Sequence, residues 1–334
     1  MADVVASETQ RPSYFLISVS TRENLELCIR HGLAGFLSGE NGAWTFCEVA
    51  EGDFVSFLYG AKAHNLYRVA GREALCNADK LPPWKPLTFR ETGKAYAFPF
   101  RLHLEPIREF TESLVRAEFA YVAENLLLRG GYRKTHFQAD QTTLQSVSDM
   151  GSRPRASIVP LKLPEHSSFI LRFTRNAKLA CAPETCRFKE PILQAAIRQH
   201  LSSVKNLQSL LACLNLDARA ETLEVLGEKA LPQGFIDLLL KQRAPLGSSW
   251  KVPIEVKTKS AGQKDLSQLH AYMKELGDDC PAGMLVAAGF GRQISRQASD
   301  LGVKLVQYSL GADLNATPTF EELWRGINLA ALRS

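Results

Sequence analysis

Apolar positions recur along this chain with two periods. Residues 14–20, "YFLISVS", alternate and are β-branched enough for a strand. Leu25, Ile29 and Leu33 then follow four apart, the spacing of a short helix. Three further strands read at "DFVSFLYG", "NLYRVAGRE" and "FPFRLHLEPI", separated by Gly, Asn and Pro signals. Val115, Phe119, Val122 and Leu126 return to helical spacing, and Gly130-Gly131 stops that helix. "YRKTHFQADQTTLQSV" is polar and holds one more short helix. Residues 151–167, "GSRPRASIVPLKLPEHS", contain three prolines and no sustained period, which reads as an interdomain linker.

Beyond residue 167 the two periods interleave. "FILRF" reads as a strand, and Pro191 opens a helix with Ile192, Ala196, Ile197 and Leu201 on one face. Proline suits a first helical position because its missing N–H would be unsatisfied there anyway. Strands follow at "LEVLGEKALPQGFIDLLLK", "WKVPIEVKTKS", "AGMLVAAGF" and "VKLVQYSL", with helices at "DLSQLHAYMKELG" and "RQISRQASDLG". Strands mixed with helices make the second half α/β.

A length of 334 residues suits about two domains, each able to bury its own core. The division predicted is residues 1–150, a linker over 151–167, and residues 168–334. No apolar run approaches the roughly 18 residues of a membrane span, so no membrane partner is expected. The first twelve residues lack the charged start and apolar stretch of a signal peptide. Seven cysteines, an odd number without framework spacing, suit a reducing cytoplasm. Cys181, Cys186, Cys213 and Cys280 fit no common zinc spacing. The net charge of +5 is mild but unevenly placed. Residues 62–101 carry 8 basic and 3 acidic side chains, interleaved with Tyr67, Trp84, Phe89, Tyr96, Phe98 and Phe100. Basic and aromatic residues together suit nucleic acid, through phosphate pairing and base stacking. A solvated face over a β-core gives the same composition.

The chemistry-bearing stretch is "GFIDLLLKQRAPLGSSWKVPIEVKTKS". Glu255 and Lys257 are two apart in a strand and so project to one face. Seventeen residues separate Asp237 from Glu255, enough for a hairpin that brings Asp237 beside them. Two carboxylates can hold a hard divalent cation, which commonly takes one or two carboxylates plus phosphate and water. Lysine can orient an attacking water or offset charge developing on a phosphodiester. An ion pair of Lys257 with Asp237 or Glu255 is the plainer alternative.

The order helix, strand with Asp, strand with Glu-x-Lys, helix, strand resembles the PD-(D/E)XK nuclease core. Within it, "LPQGFIDLLL…VPIEVKTKSAGQKDLSQLHAYMKELG" is similar to the NucS/EndoMS-type and RecB-type branch, over roughly residues 188–310. That branch has a Gly-x-Ile-Asp-Leu turn, a Glu-(Val/Ile)-Lys strand and a helix with Gln-x-x-x-Tyr, here Gln268 and Tyr272. The resemblance implies that Asp237 and Glu255 bind Mg²⁺, with Mn²⁺ as a substitute, and that Lys257 serves the attacking water. It implies that Gln268 steadies the site or touches the DNA backbone and that Tyr272 lines it. The family often adds a carboxylate from its first helix, for which Glu190 is the candidate. Glu190 also suits a helix start as a simple negative charge. His270 lies between Gln268 and Tyr272 and is expected to face elsewhere.

Residues 13–110 resemble PUA-like folds of the EVE and YTH type, β-barrels with helices in the α+β class. The likeness rests on a Phe/Tyr-rich first strand, a short helix, a Gly-Asp-x-Val strand, a strand ending in Val-Ala, a Trp-bearing loop and a closing strand ending in Pro. Members often bind modified bases, and a base swung out of the stack needs aromatic walls and a few polar groups. Trp84, Trp44 and Tyr59 are the candidate walls, and Ser18 and Asn65 the candidate polar readers. Core packing would equally account for Trp44 and Trp84. YTH proteins place a cage Trp soon after the first helix, where this chain has Ala34-Gly35-Phe36.

A base-reading half joined to a nuclease half reads as a modification-dependent, Mg²⁺-dependent DNA endonuclease acting in restriction. Double-strand cleavage then calls for a homodimer or two bound copies. The alternatives are a repair nuclease for mismatched or branched DNA, and a non-catalytic reader of modified DNA or RNA.

Overall fold

The structure is a computed structural model that describes residues 11–60, 62–89, 93–110, 135–155, 157–231, 234–244, 247, 249–311 and 314–332. The helix expected through Val115, Phe119, Val122 and Leu126 lies outside the described residues.

Six strands of the first half form one sheet. They are β1 (Tyr14–Ser18), β2 (Leu33–Phe36), β3 (Phe54–Tyr59), β4 (Lys62–Ala74), β7 (Phe100–Arg108) and β8 (His136–Ala139), in the order β2-β7-β4-β3-β1-β8. Among the described residues, the strands expected to form a PUA-like barrel make one mixed sheet in that order. β1 runs parallel to β3, which demands a crossover. Helix α1 (Arg22–His31), β2 and helix α2 (Glu40–Glu48) supply it. Thr21 caps α1 through its Oγ1, which accepts from the Asn24 N–H, and Gly32 ends it with φ +57. Leu33, assigned to the helix from its spacing, therefore opens β2 instead.

Helix α2 is absent from the hydrophobic pattern for a physical reason. Seven of its nine residues, Gly42–Glu48, are buried, so no polar face marks a period. β5 (Leu87–Thr88) and β6 (Ala95–Tyr96) form a separate two-stranded sheet, and helix α3 (Gln141–Ser148) follows β8.

The described residues of 151–167 carry no helix and only a single bridge, Glu109↔Ser152, and are tied to the first half. The Val159 N–H donates to the Arg30 carbonyl, and Ile158 packs where a Cβ on Gly32 would otherwise sit. Two short parallel strands, β9 (Arg172–Thr174) and β10 (Thr185–Arg187), come next.

The second half is a six-stranded sheet in sequential order: β11 (Leu223–Leu231), β12 (Gly234–Gln242), β13 (Lys251–Ala261), β14 (Gly283–Phe290), β15 (Val303–Leu310) and β16 (Ile327–Ala331). β13, β14 and β15 are parallel, and the remaining pairs are antiparallel. Helices α4 (Glu190–Leu201) and α5 (Val204–Cys213) bury Ile197, Leu201 and Leu211 against Ile254, Val256, Met284 and Val286. Helices α6 (Gln263–Leu276) and α7 (Arg292–Asp300) cover Leu285, Ala287 and Leu305. Alternate residues of β14 thus enter different cores, as strand geometry requires. Helix α8 (Phe320–Arg325) precedes β16.

The two halves share interior. One hydrophobic cluster joins Phe15, Trp44 and Phe100 to Phe173, Ile192, Ala195 and Leu323. Within that interior Arg198 of α4 pairs with Glu48 of α2, both 2% exposed. The Arg198 Nη2 also donates to the Glu48 carbonyl at 2.7 Å. Gln138 of β8 bridges to β11, accepting from the Gly227 N–H at 2.7 Å and donating to the Val225 carbonyl at 3.3 Å. No helix among the described residues is long and apolar enough to cross a membrane.

Candidate active site

The β12–β13 ladder runs from Lys241↔Lys251 to Leu238↔Ile254. Asp237 occupies the next position, where its side chain replaces the ladder. Its Oδ2 accepts the Val256 N–H at 2.7 Å. Ile254 and Val256 face the α4 core, so Glu255 and Lys257 emerge on the opposite face of β13. Glu190, the first residue of α4, completes the group. The Lys257 Nζ lies 2.9 Å from Glu255 Oε1 and 3.0 Å from Glu190 Oε1. Four residues from three elements thus meet at one point, and Glu190 does more than supply charge to a helix start.

The carboxylates are in an unfavourable setting. Glu255 is 1% exposed, and its Oε2 is buried with no hydrogen-bond partner. Burial, and then the neighbouring Glu255 charge, push the Asp237 carboxyl well above the usual range, against the pull of Lys257 and the Val256 N–H. Burial raises the Glu255 carboxyl as well, overcoming Lys257. Burial alone would lower the Lys257 ammonium, but Asp237, Glu255 and Glu190 raise it instead. One lysine therefore faces three acids. The orphaned Glu255 oxygen and the mutual repulsion of two buried carboxyls are the features that a hard divalent cation satisfies. Among the described residues no group of three His, Cys, Asp or Glu side chains forms a metal cage. A site built on Asp237 and Glu255 would leave the other positions to phosphate and water, the usual arrangement for Mg²⁺.

Gln268 and Tyr272 sit one turn apart on α6, and the Gln268 Nε2 donates to the Tyr272 hydroxyl at 2.9 Å. Tyr272 is buried with Leu226, Ile236 and Leu239, beneath the β11–β12 hairpin. A Cβ on Gly234 would lie 2.3 Å from the Tyr272 hydroxyl, so glycine is needed where this ring meets β12. Tyr272 thus braces the strand that carries Asp237. His270 is half-buried.

Behind Asp237 lies a cavity of about 10 Å³, room for about one water. Trp44, His136 and Gln138 of the first half line it, with Gln194, Glu228 and Asp237 of the second. Sequence reasoning missed Gln194, Glu228, Glu48 and Arg198. Gln194 is one turn beyond Glu190, a spacing that could have flagged it. Glu48 and Arg198 are 150 positions apart, and nothing local connects them.

The five candidate base readers do not converge. Trp84, expected to line a slot, is 6% exposed and packs on Phe98, Arg101 and Gly35. Trp44 is on helix α2 rather than in a loop or strand edge, is 4% exposed, and donates its Nε1 to Glu48 Oε1 at 3.3 Å. Both indoles are core residues, packed within one hydrophobic cluster. Tyr59 stacks obliquely on His64. The Ser18 N–H is taken by the Thr135 carbonyl. Asn65, at φ +52, donates to the Tyr67 hydroxyl and accepts from the Phe110 N–H, and it lines a separate cleft with Arg30 and Arg108.

The chain matches no family profile and no curated protein. Among solved structures it is similar to a repair endonuclease from Pyrococcus abyssi, at 19% identity and a TM-score of 0.23, covering 30% of this chain and 43% of that one. It is similar to EndoMS in complex with double-stranded DNA, at 22% identity and a TM-score of 0.21, covering 30% of this chain and 41% of that one. It is also similar to the MspJI restriction endonuclease in complex with a 27-mer oligonucleotide, at 15% identity and a TM-score of 0.17, covering 86% of this chain and 64% of that one. The chain thus spans less than half the length of the first two.

Proposed function

We propose that the chain is a metal-dependent DNA endonuclease whose second half hydrolyses the phosphodiester and whose first half selects the DNA, through a modified base. The observation that carries this reading is the meeting of Asp237, Glu255, Lys257 and Glu190, with a buried carboxylate oxygen of Glu255 left unpaired. A divalent cation bound there would take up that oxygen. Asp237 and Glu255 would hold Mg²⁺, or Mn²⁺ in its place, and the cation supplies water activation and charge neutralisation at a phosphate.

The protein's own groups prepare the rest. Glu190 and Glu255 hold the Lys257 ammonium from two sides, so a compact cation is fixed before substrate arrives. A charge fixed in advance stabilises developing negative charge without reorganising during the reaction. Tyr272 and Gln268 brace β12 and keep Asp237 in line. One such site cuts one strand, so cutting a duplex requires a homodimer or two bound copies.

The test is cleavage of matched duplexes that are unmodified, N6-methylated, 5-methylated or 5-hydroxymethylated, with Mg²⁺. Cutting confined to one modified duplex supports the full reading. Cutting of unmodified mismatched DNA transfers the same chemistry to repair, and no cutting with Mg²⁺ or Mn²⁺ leaves a binding protein.

A further inference from the structure

The β5–β6 hairpin plays no part in the cleavage site, and it sets exposed apolar side chains beside exposed cations. Its root is rigid: Trp84 is clamped by the Phe98 ring at 5.5 Å, with the Arg101 guanidinium 5.6 Å from the indole centre. Gly35 allows the close approach, since a Cβ there would lie 2.4 Å from the indole. Beyond this root the side chains turn outward. Leu87 is 41% exposed and Phe89 is 39% exposed, and Phe89 meets Tyr96 edge-on at 5.4 Å. Such residues ordinarily seek the core. Residues 80–96 carry four basic side chains and one acidic one, and Lys80, Lys85 and Lys94 are exposed.

Position adds a second observation. The Ser38 N–H donates to the Ala97 carbonyl at 2.9 Å, and Tyr96 lies beside Gly39. Glu40, next in sequence, opens α2 and pairs with Lys189 at 2.5 Å. Lys189 precedes Glu190, which holds Lys257. The hairpin root is thus linked through Ser38–Glu40 and Lys189 to the start of α4, whose first residue is Glu190.

We propose that the β5–β6 hairpin is a docking finger for duplex DNA, with Phe89 and Leu87 pressing between base steps and Lys80, Lys85 and Lys94 against phosphates. An apolar wedge flanked by cations is the chemistry that opens a base step while holding the backbone. The occupant is a polyanion with apolar faces inside it, which a duplex is. The proposal rests on the nuclease reading for the identity of that duplex, and it goes beyond it by assigning the surface that grips it.

The experiment measures binding of the full chain to a duplex carrying 2-aminopurine, in EDTA so that nothing is cut. Phe89→Ala and, independently, Leu87→Ser are compared with the unsubstituted protein, with thermal melting of each. Both positions are exposed, so melting should hold to within a few degrees. Phe89→Ala should weaken binding roughly 5- to 150-fold, the worth of one base–aromatic stack, and abolish the rise in 2-aminopurine fluorescence. Lys85→Ala with Lys94→Ala should instead lower the salt dependence, by roughly 0.9 in slope for each phosphate no longer neutralised. Unchanged binding by Phe89→Ala and Leu87→Ser overturns the finger. So does loss of binding to phosphatidylserine vesicles with DNA binding intact, which would make the patch a membrane-binding surface. If the unsubstituted protein opens the duplex but never cuts it in Mg²⁺, the nuclease reading fails and the finger stands. If it cuts and Phe89→Ala cuts equally well, the finger fails alone. If it neither binds nor cuts, both fall.

Discussion

Glu48→Ala should destabilise the protein as a whole, because it strands a buried arginine between the two halves. Arg198 and Glu48 are each 2% exposed, and the pair is reinforced by Arg198 Nη2 on the Glu48 carbonyl and by the Trp44 Nε1 on Glu48 Oε1. Removing one member of a buried pair leaves an uncompensated charge and costs about 3–5 kcal/mol. The backbone carbonyl survives the substitution and keeps one of the Arg198 hydrogen bonds, which favours the lower end. At about 2–4 °C per kcal/mol for chains of 150–250 residues, and less for longer ones, the melting temperature should fall by roughly 5–15 °C. Glu48→Met with Arg198→Met removes both charges and should recover most of the loss, since apolar replacement of a whole pair is often neutral. The assay is thermal melting by circular dichroism beside urea denaturation by tryptophan fluorescence. Because Phe15, Trp44, Ile192 and Leu323 share one cluster, both probes should report a single transition. A Glu48→Ala protein that melts within a degree of the unsubstituted one would refute the reasoning. Two separate transitions, with only one displaced, would equally show that the halves do not fold as a unit.

Further outcomes follow from particular interactions. Asp237 and Glu255 hold protons more tightly folded than unfolded, so stability in EDTA should fall as pH rises from the ordinary carboxylate range through their raised values. Mg²⁺ at ten times its Kd should restore about 1.4 kcal/mol above that window, read as a higher melting temperature at pH 8, and Glu255→Gln should abolish the shift. Gly234→Ala would force a Cβ into the Tyr272 hydroxyl and should cost about 1–3 kcal/mol in urea denaturation; no loss would dismiss the brace on β12. Trp84→Ala should cost about 3–5 kcal/mol of stability and weaken binding to modified and unmodified DNA together; an unchanged melt with selective loss of modified-DNA binding would return Trp84 to a base slot.

The sequence showed most where chemistry and periodicity coincide. The alternation around Glu255 and Lys257 places both side chains on one face, and the hairpin does bring Asp237 alongside. Glu190 was legible as the residue before a helix-opening proline, although its bond to Lys257 required the tertiary fold. Helix α2 was not legible, because burial on nearly every side erases the polar face that reveals a helix. The same burial misdirects the reading of Trp44, which reads as a wall of a base slot until α2 is seen to lie against α4. The interface between halves escaped for a related reason: Gln138, Glu48 and Arg198 are polar residues whose partners are between 87 and 150 positions away. Local pattern carries no trace of such pairs.

The most direct measurement is single-turnover cleavage of a duplex in Mg²⁺ by the unsubstituted protein and by Glu255→Gln. Thermal melting and duplex binding in EDTA are followed in parallel. The neutral side chain keeps the shape of Glu255 but loses one carboxylate of the cation site and one partner of Lys257. Cleavage should fall roughly 10²-fold or more, on the scale of several kcal/mol of transition-state stabilisation, while melting and binding persist. Equal cleavage by folded Glu255→Gln would contradict the nuclease account at its centre.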